Sequence, residues 1–209
     1  MKTGSLQQHP HHSALVSMIW NIANGLRGTY RPPQYRRVML PLIVLARFDA
    51  ILSKHTDAMK ALFDENQKKA ETARLPQVLL DKKLTEIVGK DRKQTLYNVS
   101  GFNLARLLDD PDGTASAQVG RLNWIQYING FSAKAKDIFD KFEFEKEIDK
   151  LDEANRLYKV LQTFVGDLRS HGLTLSPDVI SNTQMGYLFE ELIRKFNEQA
   201  NEEAGDHFT

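Results

Sequence analysis

The 209-residue chain is 41% hydrophobic, enough for one sizeable core or for one domain and a fragment of the next. Its 28 Lys and Arg nearly cancel its 27 Asp and Glu, so the whole-chain field gives no reason to expect a strong polyanion binder, and any nucleic-acid contact has to come from a local patch. No cysteine occurs, which excludes disulfides, thiolate zinc sites and cysteine nucleophiles.

Residues 1–12 are polar, with His9, His11 and His12 around Pro10, and read as a disordered leader rather than a metal-binding tract. They lack the apolar centre of a signal peptide, and the longest apolar stretch, residues 38–46, is about half of the ~20 residues a membrane span needs. The expectation is a cytoplasmic protein with no membrane segment.

Helical spacing of Leu15, Met18, Ile19, Ile22 and Leu26 predicts an amphipathic helix from Ser13, with Gly28 as its left-handed terminator. A basic, aromatic loop follows at residues 27–37, kept from being helical throughout by Pro32 and Pro33. A second helix is expected over residues 34–52. Its residues 38–46 are apolar on nearly every side and therefore buried all round, and Pro41 predicts a kink or a helix starting close to it. A charged helix over residues 55–71 comes next, then Pro76 and a mixed segment ending near Gly89.

Residues 98–101 read as a turn and cap before a short helix carrying Phe102, Leu104, Leu107 and Leu108. The cluster Asp109-Asp110-Pro111-Asp112-Gly113 predicts a loop. Val119, Leu122, Ile125 and Ile128 mark another helix, ended by Asn129-Gly130, and residues 133–139 a short one. Residues 145–168 are long enough for two helices joined near Leu151. After an extended link at residues 173–177, Ser181 and Gln184 have the spacing of a capping box. Met185, Leu188, Phe189, Leu192, Ile193 and Phe196 then form one stripe of a long helix. There is no convincing strand and no internal repeat, so the fold class is all-α, an irregular multi-helix bundle.

Candidate chemistry is sparse. No Gly-x-Gly pair and no Gly-x-x-x-x-Gly-Lys loop occurs, so neither a dinucleotide fingerprint nor a phosphate-cradling loop is present. His55, His171 and His207 are far apart and none sits in a His-Glu-x-x-His helix, so no metal site is expected. Glu190-Glu191 and Glu202-Glu203 are adjacent helical pairs that diverge by about 100° and read as solvated surface. In the basic loop, Arg27, Arg31, Arg36 and Arg37 interleave with Tyr30 and Tyr35. One reading makes them phosphate forks and stacking faces for DNA; the other pairs the arginines with acidic residues and packs the tyrosines on the bundle. Both stay open.

The last residues, Asn201-Glu202-Glu203-Ala204-Gly205-Asp206-His207-Phe208-Thr209, place a Gly, a His, an aromatic and a Thr after a long helix, like the entry to a site. Together with Ser181-Asn182-Thr183-Gln184-Met185-Gly186-Tyr187-Leu188-Phe189-Glu190-Glu191, this ending closely resembles the modification subunit of type I restriction-modification systems. Ile19-Trp20-Asn21-Ile22-Ala23-Asn24-Gly25-Leu26-Arg27-Gly28 with Tyr35-Arg36-Arg37-Val38-Met39-Leu40-Pro41-Leu42 is similar to that family's opening, and Tyr127-Ile128-Asn129-Gly130-Phe131-Ser132 to its middle. The resemblance covers nearly everything after residue 12.

The resemblance implies an N-terminal helical domain, residues 13–170, ahead of a catalytic α/β domain. Residues 171–209 would supply a connecting segment and the first helix and edge of that catalytic domain. It implies a complete subunit that transfers a methyl group from S-adenosylmethionine to N6 of adenine, working with a specificity subunit, a second modification subunit and a restriction subunit on double-stranded DNA. Asp206, His207, Phe208 and Thr209 match the start of the family's cofactor-binding segment, with Asp206 standing where many relatives carry Glu or Gln. The Gly-rich cofactor loop and the Asn-Pro-Pro-Phe-type motif do not occur in these residues. The chain is therefore expected to be the front part of a methyltransferase subunit, serving subunit contacts and DNA enclosure, with no catalytic residue of its own and no cofactor bound by itself. The alternative is a stand-alone helical module that binds protein or DNA.

Overall fold

A computed structural model describes residues 10–90, 94–170, 172 and 174–206. Among them the chain is α-helical with no strand, and its only ladder-like pairings are single bridges, Arg27 with Tyr30 and Asn98 with Phe131. One hydrophobic core runs through the helices.

Helix α1 (Pro10–Gly25) starts earlier than its apolar pattern predicts. Proline is at home at the first helical position, where its missing N–H costs no hydrogen bond, so residues 10–12 of the expected leader are helical. Ile19, Ile22 and Leu26 are buried, and Gly28 takes the left-handed conformation, φ +90°, just beyond the helix. Helix α2 (Arg36–Leu52) is the centre of the fold. Its residues 38–43, 45 and 46 are buried, as an all-apolar surface requires. Pro41 lies inside α2, and the helix runs continuously through it from Arg36. Only the Arg37 carbonyl, in the first turn, loses its helical donor there.

Two charged residues of α2 tie distant parts of the chain to it. Arg47, 7% exposed, donates from Nη1 to the carbonyls of Leu175 and Ile180, the latter at 2.6 Å, and from Nη2 to Asn182 Oδ1 at 2.9 Å. These bonds hold the link before the last helix against α2. Asp49 Oδ1 accepts from the Leu104 amide and from the Tyr127 hydroxyl, both at 2.9 Å.

Helices α3 (Thr56–Lys68) and α4 (Gln77–Val88) form a hairpin after α2. Asn66 shapes its turn by accepting from the Leu75 amide at 2.9 Å, and Tyr97 donates to Asp81 at 2.8 Å to tie α4 to the following loop. Helix α5 (Leu104–Asp109) is capped by Asn103, which accepts from the Arg106 amide at 2.8 Å. With Asp49 taking the Leu104 amide, two donors of its first turn are satisfied.

The predicted loop at residues 109–113 is instead interrupted by a short helical turn, α6 (Pro111–Ala115). The residues that signal a turn, Asp then Pro, also suit a helix start: Asp110 is the N-cap and accepts from Gly113, while Pro111 takes the first helical position. Helix α7 (Ala117–Asn129) crosses α6 so closely that a Cβ on Gly120 would lie 2.8 Å from the Gly113 carbonyl. The buried face of α7 is Trp124, Tyr127 and Ile128, and Leu122 of the predicted stripe is 51% exposed. The larger rings of Trp124 and Tyr127 set the orientation, because they remove more apolar surface from water than Leu122.

Helices α8 (Ala133–Lys141), α9 (Phe144–Glu153) and α10 (Leu157–Ser170) complete the bundle. The joint expected near Leu151 falls at residues 154–156, where Asn155 adopts a left-handed conformation, φ 55°, that asparagine tolerates. Phe48, Tyr127, Phe131, Phe139 and Phe144 stack as tilted and edge-on pairs between α2, α7, α8 and α9.

Helix α11 (Asn182–Asp206) opens on the predicted capping box. The Gln184 amide donates to Ser181 Oγ at 3.2 Å and the Ser181 amide to Gln184 Oε1 at 2.8 Å. Met185, Leu188, Leu192 and Phe196 are buried in the common core, with Phe196 edge-on to Trp20 of α1 at 5.6 Å. Ile193, from the same predicted stripe, is 39% exposed.

Arg47→Leu strands the carbonyls of Leu175 and Ile180, so it is expected to cost about 2–4 kcal/mol in urea unfolding; Ser181→Ala should cost about 1 kcal/mol. Asp49 tests the other tie through pH. Desolvation raises its carboxyl above the ordinary 3.8, against the lowering effect of the Leu104 and Tyr127 hydrogen bonds. The folded state therefore holds this proton more tightly, and the group's contribution to stability falls as pH rises from 3.8 through the folded value. Asp49→Asn keeps an acceptor and removes the charge. Its stability relative to the parent should rise across that window, measured as the difference in unfolding free energy at pH 4 and pH 7.

Candidate functional site

The basic loop is built by the end of α1 and the start of α2. The amides of Thr29 and Tyr30 donate to the Leu26 carbonyl at 3.2 and 3.0 Å, closing the helix end around Gly28. The Arg31 amide then donates to Gln34 Oε1 at 3.1 Å, holding the 3-10 turn Pro32–Gln34, which packs against α11. Arg27, Gly28, Thr29, Arg31 and Gln34 line an open, mainly polar depression with Tyr30 and Tyr35 among its walls.

The structure divides the two kinds of residue in this loop. Tyr30 and Tyr35 are 4% and 2% exposed and belong to the core, so they offer no free stacking faces. The Tyr30 hydroxyl donates to the Glu147 carbonyl at 3.4 Å, and Lys150 Nζ stands 4.0 Å above its ring. Burial, and then Glu147 beside it, pushes that hydroxyl well above the ordinary phenol range, so it stays neutral. Arg27, Arg31, Arg36 and Arg37 are all exposed. Arg37 faces Glu147 of α9 at 4.0 Å; among the described residues Arg27, Arg31 and Arg36 have no ion pair.

The other sequence candidates are not brought together. Asp206 is the last residue of α11, and His207, Phe208 and Thr209 lie outside the described residues, as do His171 and most of the leader. Glu190 is exposed, and Glu191 lies 3.9 Å from Lys195. Among the described residues no group of three or more His, Asp or Glu side chains gathers to hold a metal ion, and no helix is long and apolar enough to cross a membrane. Sequence reasoning missed Arg47 and Asp49. The signal was available: they are the only charged residues between Arg37 and Lys54, and a charge there needs a buried partner.

With this scaffold described, comparison with known families places it. Residues 15–164, from within α1 to within α10, match the HsdM N-terminal domain. The chain belongs to the HsdM N-terminal domain family. HsdM is the modification subunit named by the sequence resemblance, so the chain is the N-terminal helical part of the methyltransferase subunit of a type I restriction-modification complex. No curated protein and no solved structure matches it. Helix α11 lies beyond the matched residues yet shares the HsdM domain's core.

The division within the loop predicts separable mutations. Arg27→Gln, Arg31→Gln and Arg36→Gln together should change unfolding free energy by no more than about 0.5 kcal/mol per site. Tyr35→Ala should cost about 3 kcal/mol or more. Chemical denaturation of the same preparations compares them.

Proposed function

We propose that this domain serves subunit contacts and DNA enclosure in an adenine-specific type I methyltransferase. The match to the HsdM N-terminal domain over residues 15–164 carries the reading. In the assembled enzyme its neighbours are the specificity subunit, a second modification subunit and the restriction subunit. The complete subunit transfers the methyl group of S-adenosylmethionine to N6 of adenine. Such chemistry requires an extruded base whose amine is held in line with the sulfonium methyl. The residues for it are not among these 209, which contain neither a Gly-rich cofactor loop nor an Asn-Pro-Pro-Phe motif.

The local chemistry supports a DNA-facing role for the loop. Arg27, Arg31 and Arg36 are exposed and have no ion pair among the described residues, and they stand on a loop and the first turn of α2, held by the buried Tyr30 and Tyr35. Guanidinium groups on a fixed base fit phosphate oxygens without side-chain ordering being the whole cost. Asp206, His207, Phe208 and Thr209 are proposed as the first edge of the cofactor pocket. Residues 171–209 connect the two domains, with α11 seated on α1 and α2 as the rigid joint.

Two measurements test this. Calorimetry should detect no S-adenosylmethionine binding by residues 1–209, while the complete subunit with its specificity partner binds the cofactor and methylates DNA; micromolar binding by residues 1–209 would contradict the division of labour. In the assembled enzyme, the Arg27→Gln, Arg31→Gln, Arg36→Gln variant should bind duplex DNA more weakly, with the salt dependence of log K reduced by about 0.9 for each arginine that meets a phosphate. Unchanged affinity and slope would remove the loop from the DNA path.

A further inference from the structure

The near-neutral total conceals a division along the chain. Residues 1–93 carry 16 Lys and Arg against 8 Asp and Glu, a net of +8, whereas residues 94–209 carry 12 against 19, a net of −7. Such an asymmetry between halves points to a polyanion contact among the basic residues of the first half, which the overall balance hides. Part of the excess is the basic loop. A second part lies at the α3–α4 hairpin and the residues that follow it in sequence, where residues 66–93 hold 8 basic and 4 acidic residues.

The structure shows how these charges are presented. Lys68, Lys83 and Lys90 are exposed and have no ion pair among the described residues; Lys82 is exposed too, and its contact with Glu86 is a loose 3.9 Å across solvent. Arg74 is pinned at the hairpin turn by donating to the carbonyls of Lys69 and Gln67 at 3.2 and 3.0 Å. Lys82 and Lys90 flank a shallow groove along α4 with Thr85 between them, and the buried Thr85 hydroxyl has no hydrogen-bond partner among the described residues. Asp81 of that groove accepts from Tyr97 at 2.8 Å and from Gln77 at 2.6 Å.

We propose that the α3–α4 hairpin is a second element that grips the phosphate backbone of double-stranded DNA, with Lys82, Lys83 and Lys90 as its contacts. The inference rests on the reading that this subunit works on DNA, and adds a surface distinct from the basic loop. The loop precedes α2 and the hairpin follows it.

The test uses the assembled modification and specificity subunits, with duplex binding measured by fluorescence anisotropy across a salt series. The Lys82→Gln, Lys83→Gln, Lys90→Gln variant should lose about tenfold in affinity or more, with the slope of log K against log salt reduced by about 0.9 per contacting lysine. The loss should be equal on duplexes with and without the target sequence, because phosphate contacts carry no sequence information. Unchanged affinity and slope overturn the hairpin proposal; if the loop variant is weakened in the same assay, the DNA role of the domain stands without the hairpin. An affinity loss accompanied by dissociation of the subunits in sedimentation also overturns it, since the hairpin, with its exposed Val78 and Leu79, is then a protein-docking surface. An unaltered unfolding midpoint of the variant separates all of these from misfolding.

Discussion

Burying the Arg47 guanidinium in α2, just after the chain's longest apolar stretch, commits that helix to the segment that reaches it. A charge at 7% exposure is tolerable only if its donors are satisfied. Its acceptors include two backbone carbonyls and the Asn182 side chain from residues 175–182. An irregular link is thereby held to α2, and the start of α11 with it. Asp49, two residues further on, faces another part of the chain and secures the first turn of α5 and the Tyr127 ring of α7. The surrounding apolar contacts supply most of the free energy, but they are non-directional. These polar bonds select which of the possible helix arrangements is adopted.

That arrangement explains the composite character of the basic loop. Tyr30 and Tyr35 anchor it inward, the first against α9 through Glu147 and Lys150, while the arginines face solvent. A DNA-facing element benefits from such a division because ordering a flexible loop on binding costs entropy. The capped start of α11 and the Trp20–Phe196 contact extend the same rigidity toward Asp206. A methyltransferase domain joined there would be coupled to the helical domain through a packed helix rather than a free linker.

Much of the fold was legible along the chain. The burial of residues 38–46, complete but for a half-buried Val44, the Asn129-Gly130 stop and the Ser181/Gln184 box all depend on neighbours within a few residues. Legibility failed where one local signal serves two structures, as when Asp110-Pro111 capped a helical turn instead of opening a loop. It failed again where side chains compete for one core, as when Trp124 and Tyr127 displaced Leu122 from the buried face of α7. For the candidate site, the arginines and tyrosines were visible but their division was not, since that depends on α9, more than a hundred residues away.

By itself the sequence determined the all-α class, the helix termini marked by caps, and the family resemblance, because each is written in residue identity at short range. The charge asymmetry between halves was equally available there, hidden only by summing over the whole chain. Tertiary structure alone decided which acceptors meet the buried charges and where the remaining charges are presented. Arg47 and Arg36 are the same residue in the same helix, and only the segments folded over α2 make one a structural tie and leave the other open to solvent. The cost of burying a charge depends on acceptors brought from far along the chain, and no local pattern encodes them.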